Sequence, residues 1–367
     1  MVVKRIAVIA ASLMLVLSMS ATVFASQAPS NPATGSSIVI EKNVKTTNDA
    51  ISSIAGPGVT FNYSFASVTP SEANGGTSIT DAEGHSSVVT AGPAGGLAWA
   101  ESGSSLAFTK AEMLNASATG ADNKKRTTLN AVTSAFTKPG VYRYELSEAT
   151  DPATLPAGFT NTANQKRYID VYVINGNSGL TISGMVMHDG SVSNDKPAQK
   201  KTFDDAVYVT KNVAIKKVVA GNMADPDATF AFTATVANND RVFFTGTTET
   251  GAATQVTGTT ATATLGNDDE LWICGLSMDA TVGVSEVNTF GGNTYTATYA
   301  VGSAAAQEGT SMAAANLNDH DMVTFTNTLD DVSPTGVIMR FGPYIGMVLA
   351  AIAFGFVFRR TRKANNA

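Results

Sequence analysis

Apolar and polar residues alternate along much of this chain with a period of two. The clearest runs are Val59-x-Phe61-x-Tyr63-x-Phe65, Tyr142-x-Tyr144-x-Leu146, Tyr168 to Ile174, Phe230-x-Phe232 and Met322 to Phe325. Such alternation puts successive side chains on opposite faces of a strand, and the Gly, Asn, Asp and Pro between runs supply turns. No long stretch keeps a helical period, although Lys110–Asn115 has room for a single helical turn. Ser67 to Ala98, rich in Gly, Ser and Thr, reads as long loops. The predicted fold class is all-β, built as sandwiches.

Two stretches break the pattern. Residues 1–25 begin with Lys4 and Arg5, continue through an apolar core from Ile6 to Leu17, and end on Val23-Phe24-Ala25. That is the layout of a signal peptide cleaved after Ala25. Residues 26–36, a Ser/Pro/Ala leader, are expected to be disordered. At the other end, Tyr344 to Phe358 is apolar and precedes Arg359, Arg360, Arg362 and Lys363. At ~1.5 Å per helical residue this run is roughly 22 Å long, so Val337–Met339 must join it to span a bilayer. The basic residues belong on the cytoplasmic side. Just upstream stands Ser333-Pro334-Thr335-Gly336.

That order of motif, apolar run and basic tail resembles the cell-wall sorting signals that sortases of Gram-positive bacteria read as Leu-Pro-x-Thr-Gly. Here Val332-Ser333-Pro334-Thr335-Gly336 has Pro directly before Thr, as in some pilin variants. The resemblance implies cleavage at Thr335-Gly336. Residues 331–336 are then linker and motif, and residues 337–367 a transmembrane segment and tail that hold only the precursor in the membrane.

Charge sharpens the picture. Two positive charges leave with residues 1–25 and five with the segment after Thr335, which takes the formal net charge from −6 to −13. A product so acidic has no footprint for nucleic acid or anionic lipid. The single cysteine, Cys274, lies in the apolar phrase Leu271-Trp272-Ile273-Cys274-Gly275-Leu276 and reads as a buried thiol. An exported chain of this size must then be stabilised without disulfides.

An internal repeat divides the text. Ile38-Val39-Ile40-Glu41-Lys42-Asn43-Val44 reappears as Val213-Ala214-Ile215-Lys216-Lys217-Val218-Val219, and each is followed by an aromatic strand. Tyr144-x-Leu146-x-Glu148 is echoed by Val282-x-Val284-x-Glu286. Two domains of one architecture are expected, 37–208 and 209–330. Period-two register puts Lys42 on the face of Ile38, Ile40 and Val44, and Lys217 on that of Val213, Ile215 and Val219. Glu148 and Glu286 share faces with Leu146 and Val284, Asn327 with Phe325, and Asp205 with Phe203. A lysine inside a sandwich core is costly unless it is paired or neutral, so a set repeated in two domains suggests chemistry.

These phrases, with Gly140 to Glu148, Val213 to Asn222 and Val323 to Thr328, resemble the isopeptide-bonded, immunoglobulin-like (CnaB-type) domains of Gram-positive pilins, especially two-domain streptococcal backbone pilins of the T-antigen type. The resemblance implies that a first-strand lysine joins covalently to an Asn or Asp on the last strand, assisted by a buried acid. In domain 2 the trio is Lys217, Glu286 and Asn327. In domain 1 Lys42 and Glu148 match, and Phe203-Asp204-Asp205 makes Asp205 the expected acyl partner, with Asn212 the alternative. The resemblance also implies an exposed lysine late in domain 1 that joins subunits: Lys200 or Lys201, with Lys196 nearby. Implied partners are a sortase, neighbouring subunits or peptidoglycan; a singly anchored adhesin with a host ligand is the competing reading.

Conventional active-site signatures are missing. His85, His188 and His320 are scattered, with His188-Asp189 and Asp319-His320-Asp321 in loop-like text. Asn238-Asn239-Asp240 and Asn267-Asp268-Asp269-Glu270 read as turns, not calcium sites. No cofactor is expected.

Overall fold

The structure is a computed structural model. It describes residues 36–330, apart from 81–85, 101–102, 151–154, 163, 194–195, 201, 238–240, 245–253 and 258, together with Tyr344, Met347, Val348, Ala351 and Ile352. The signal peptide and the sorting motif lie outside the described residues. No helix among the described residues is long and apolar enough to cross a membrane.

The alternating runs form strands, as their period dictates, and the strands form two sandwiches in tandem. In the first, a five-stranded sheet runs in the order Phe159–Thr160, Ala206–Val209, Ser37–Thr47, Ala121–Ala131, Leu97–Trp99. Opposite it lies an eight-stranded sheet centred on Gly140–Ala149, with Lys166–Gly176 on one side and Val59–Ser67 on the other. In the second sandwich, a seven-stranded sheet has Lys211–Ala220 between Glu270–Leu276 and Met322–Thr328. Its four-stranded partner runs Thr260–Leu265, Phe230–Ala237, Thr281–Glu286, Ser311–Ala315. Each core interdigitates residues of its two sheets: Ile40, Val44, Phe61, Leu146 and Ile169 in the first, Ile215, Phe232, Val284 and Phe325 in the second. The first core continues onto Ala214, Trp272 and Cys274 at the near end of the second sandwich.

Three local expectations need correction. Lys110–Asn115 forms no helical turn: a turn leads into the strand Met113–Asn115, which pairs with Ser53–Ala55. Ser67 to Ala98 is not simply loop. It contains the strands Ser78–Thr80, Ser86–Ala91 and Leu97–Trp99, and Ser86–Ala91 pairs in parallel with Gly140–Ala149. Ser78–Thr80 and Ser86–Ala91 are two of the eight strands, where Ile79 and Val89 bury Val141 in a small second core. Residues 71–76 of the same insertion fold over the sheet's outer face, Asn74 Oδ1 and the Gly76 carbonyl accepting from Arg143. His188, finally, is not in a loop. It is a fully buried residue of the strand Gly179–Ser193.

Candidate functional site

The first strand of the second sandwich, Lys211–Ala220, turns Val213, Ile215 and Lys217 to one face, all with no solvent exposure. Met322–Thr328 runs parallel beside it, with Lys217 opposite Phe325 and Val219 opposite Asn327. The facing sheet brings Glu286, paired with Phe232, to the same place. Lys217 Nζ lies 2.8 Å from Glu286 Oε1, and Asn327 Nδ2 donates to that same oxygen. The ring of Phe230 closes the floor, its centroid 4.4 Å from the lysine nitrogen. Glu286 Oε2 and Asn327 Oδ1 are buried with no hydrogen-bond partner among the described residues. Burial, only partly offset by Glu286, pulls the Lys217 amine down to about 8, and burial pushes the Glu286 carboxyl up. Both shifts favour the neutral amine and the neutral acid.

The first sandwich repeats the arrangement with one substitution of partner. Lys42 is fully buried between Ile40 and Val44, with its nitrogen 4.6 Å from the Phe61 ring centroid. Lys42 Nζ donates to Glu148 Oε1 at 2.9 Å, to Asn161 Oδ1 at 2.9 Å and to the Asp204 carbonyl at 2.7 Å. Glu148 Oε1 also receives Asn161 Nδ2 at 3.3 Å, and Glu148 Oε2 receives the Tyr63 hydroxyl at 3.0 Å. Burial lowers the Lys42 pKa, against the opposing pull of Glu148. Burial, reinforced by the Glu148 charge, raises that of Tyr63.

Asp205 does not join this group. Its half-exposed carboxylate instead pairs with Lys45 Nζ at 3.2 Å. The cause is a shift of register: Glu41 bridges Thr202, but Val44 pairs with Ala206, which leaves one extra residue on the later strand. Phe203 and Ala206 both point inward, and the two residues between them, Asp204 and Asp205, form a bulge that turns Asp205 outward. Asn212 is buried elsewhere, bound to Asn48 and Asp49 where the two sandwiches meet.

Of the expected linking lysines, Lys200 is 40% exposed and pairs with Asp204 at 2.8 Å. Lys196 lies on the edge strand Lys196–Gln199, and Lys201 lies outside the described residues. Alternation did not reveal a second buried polar group. Arg143 makes a bidentate pair with Asp170, both contacts at 2.7 Å, and His188 Nε2 stands 3.3 Å from Asp170 Oδ2. Burial pushes the Asp170 carboxyl up, but the hydrogen bonds of Arg143 and His188 outweigh it and hold the group below its usual range. Arg143, Asp170 and His188 lie on the outward face of the sheet, and only the insertion that covers this face accounts for their burial.

Two sandwiches in series, each with a first-strand lysine buried against a glutamate, make up a streptococcal pilin-type fold. The crystal structure of the major pilin from Streptococcus pyogenes is similar at a TM-score of 0.52 and 19% identity, covering 82% of this chain and 100% of that one. A single-substitution mutant of that pilin gives a TM-score of 0.50 at 19% identity, over 81% of this chain and 100% of the other. The T-13 major pilin of the same species is 21% identical over 81% of this chain and 98% of its own, with a TM-score of 0.48. At these identities the likeness is one of fold. Residues 211–329 also match a family described as a domain of unknown function (DUF7601). No curated protein matches the sequence.

Proposed function

We propose that this chain is a pilus-type structural subunit of the Gram-positive cell surface. In this reading residues 1–25 export it, a sortase cuts at Thr335-Gly336, and the new carboxyl end is joined to a neighbouring subunit or to peptidoglycan. Its two units, 37–208 and 209–330, are load-bearing sandwiches and turn over no substrate. The observation that carries the reading is the buried trio Lys217, Glu286 and Asn327, poised for one intramolecular amide.

The chemistry needs only these residues. The neutral Lys217 amine attacks Asn327 Cγ, and protonated Glu286 supplies the donor that Asn327 Oδ1 lacks. The Nζ–Cγ bond forms and the Cγ–Nδ2 bond breaks. Glu286 passes the amine's proton to the leaving nitrogen, which departs as ammonia. Fixed proximity in a buried core supplies much of the acceleration.

Polymerisation is the test. Surface extracts of cells expressing the chain with its sortase should show a high-molecular-weight ladder that survives boiling in detergent. The K200A/K201A double variant should abolish it, because in this reading Lys200 or Lys201, late in the first unit, supplies the joining amine. A single wall-linked band from the unaltered chain would overturn the shaft reading in favour of a singly anchored adhesin.

A further inference from the structure

The first sandwich holds a cluster that shares its central contacts with Lys217, Glu286 and Asn327, but its amide comes from an unexpected place. In both clusters one glutamate oxygen receives the lysine nitrogen and the asparagine Nδ2: Glu286 Oε1 in the second, Glu148 Oε1 in the first. In both, an aromatic ring lies under the lysine, Phe230 at 4.4 Å and Phe61 at 4.6 Å. The asparagines even share a tetrapeptide, since Phe159-Thr160-Asn161-Thr162 repeats Phe325-Thr326-Asn327-Thr328. The phenylalanines of the two tetrapeptides also pack alike. Phe325 meets Phe232 at 5.4 Å between centroids, and Phe159 meets Phe61 at 6.2 Å. The positions in the fold differ, however. Asn327 sits on the strand beside Lys217, whereas Asn161 follows the edge strand Phe159–Thr160, which reaches the first strand only through Ala206–Val209.

We infer that the first sandwich carries its own intramolecular amide, between Lys42 Nζ and Asn161 Cγ, with Glu148 as the assisting acid. This rests on the functional reading above and assigns the acyl partner that the last strand fails to supply. Asn161 Oδ1 already accepts from the lysine at 2.9 Å, so among the lysine's three partners, Glu148, the Asp204 main chain and Asn161, only Asn161 offers a side-chain amide to attack. Its Nδ2, the leaving group, faces the glutamate that must protonate it. The Nζ–Cγ bond forms, the Cγ–Nδ2 bond breaks, the amine's proton travels through Glu148, and ammonia leaves. Tyr63 holds the other carboxyl oxygen and so fixes the acid in place. Asp205, facing outward against Lys45, has no path to the amine.

Peptide mapping of the purified full chain by tandem mass spectrometry decides it. Trypsin cannot cut after an acylated lysine, so the Lys42 peptide should run on to Lys45 and appear branched to the peptide Tyr144–Lys166, about 17 Da lighter than the two together. The N161A variant should lose that branch and keep the one between Lys217 and Asn327. The N161D variant should restore it with loss of about 18 Da, as water leaves instead, which covers the case where N161A fails to fold. A branch from Lys42 to the peptide Thr202–Lys211 would overturn the assignment and leave the functional reading standing. So would an unmodified Lys42 in a chain linked at Lys217. Absence of any branch in the unaltered chain would overturn both.

Discussion

Lys217 carries a pH signature that separates the linked chain from the unlinked one. In an N327A variant the amine remains free and is held at about 8 by burial, against 10.5 in the unfolded chain. Between those values the folded state binds fewer protons than the unfolded state, so stability rises with pH across the window. Glu286 works the other way. Its pKa is raised in the fold, so its contribution is present at acid pH and is lost as pH rises past the raised value. Urea midpoints of N327A should therefore climb from pH 8 to about 10.5, while the K217M/N327A variant lacks the climb. The linked chain should lack it as well, since an amide does not titrate. The same midpoints rising equally in all three would contradict the assignment.

The pair beneath the insertion makes a second residue-scale prediction. Asp170→Asn leaves the Arg143 guanidinium buried without its carboxylate, and removing one partner of such a pair costs on the order of 3–5 kcal/mol. Denaturant titration should show a loss of that order with no change in either proposed amide link.

At the scale of single elements, the bulge at Asp204 and Asp205 decides how the first sandwich differs from the second. One inserted residue moves a carboxylate from the core side to solvent, because side chains alternate with a period of two. Asp205→Ala should then remove only the half-exposed Lys45 pair, a loss within about 1 kcal/mol. The Lys42 link should persist, as read by intact mass. A large loss of stability, or a mass gain of about 18 Da over the composition-corrected value, would restore Asp205 to the core. Elements also show where reading by pattern stopped. Alternation places Lys42, Glu148, Lys217, Glu286 and Asn327 on inward faces, and their burial agrees. It also places Arg143 opposite Tyr142 and Tyr144, on the face expected to meet water, and the insertion covers that face. The Phe159-Thr160-Asn161-Thr162 copy is plain in the sequence, but it lies upstream of Ala206–Val209, the last strand of the first sandwich, which the family pattern makes the source of the partner.

Across the whole molecule, the two proposed links would differ in what they leave free under tension. A Lys217–Asn327 amide joins neighbouring first and last strands, so pulling on the ends of the second sandwich finds little slack. A Lys42–Asn161 amide bypasses Ala206–Val209. Pulling from Ser37 to Val209 would then pay out about 48 residues after Asn161, roughly 160 Å at ~3.4 Å each. Single-molecule force spectroscopy should record one extension of that length from the first sandwich and none from the second. An inextensible first sandwich would point to a link on its last strand. The first unit would act as the compliant one and the second as the rigid one.

Period-two alternation, two terminal apolar runs and a repeated lysine phrase are local properties, and the sequence by itself determined them. They establish strands, their inward faces, and the residues that no core tolerates without a partner. Which amide meets Lys42 is a property of register between strands over a hundred residues apart, where one extra residue reverses a face. Only the tertiary structure decided that Asp205 turns to solvent, that Asn161 comes in from the sheet edge, and that Arg143, Asp170 and His188 lie under a covering insertion. The reason is the same each time: a strand's pattern states which side is apolar, and packing alone states what that side meets.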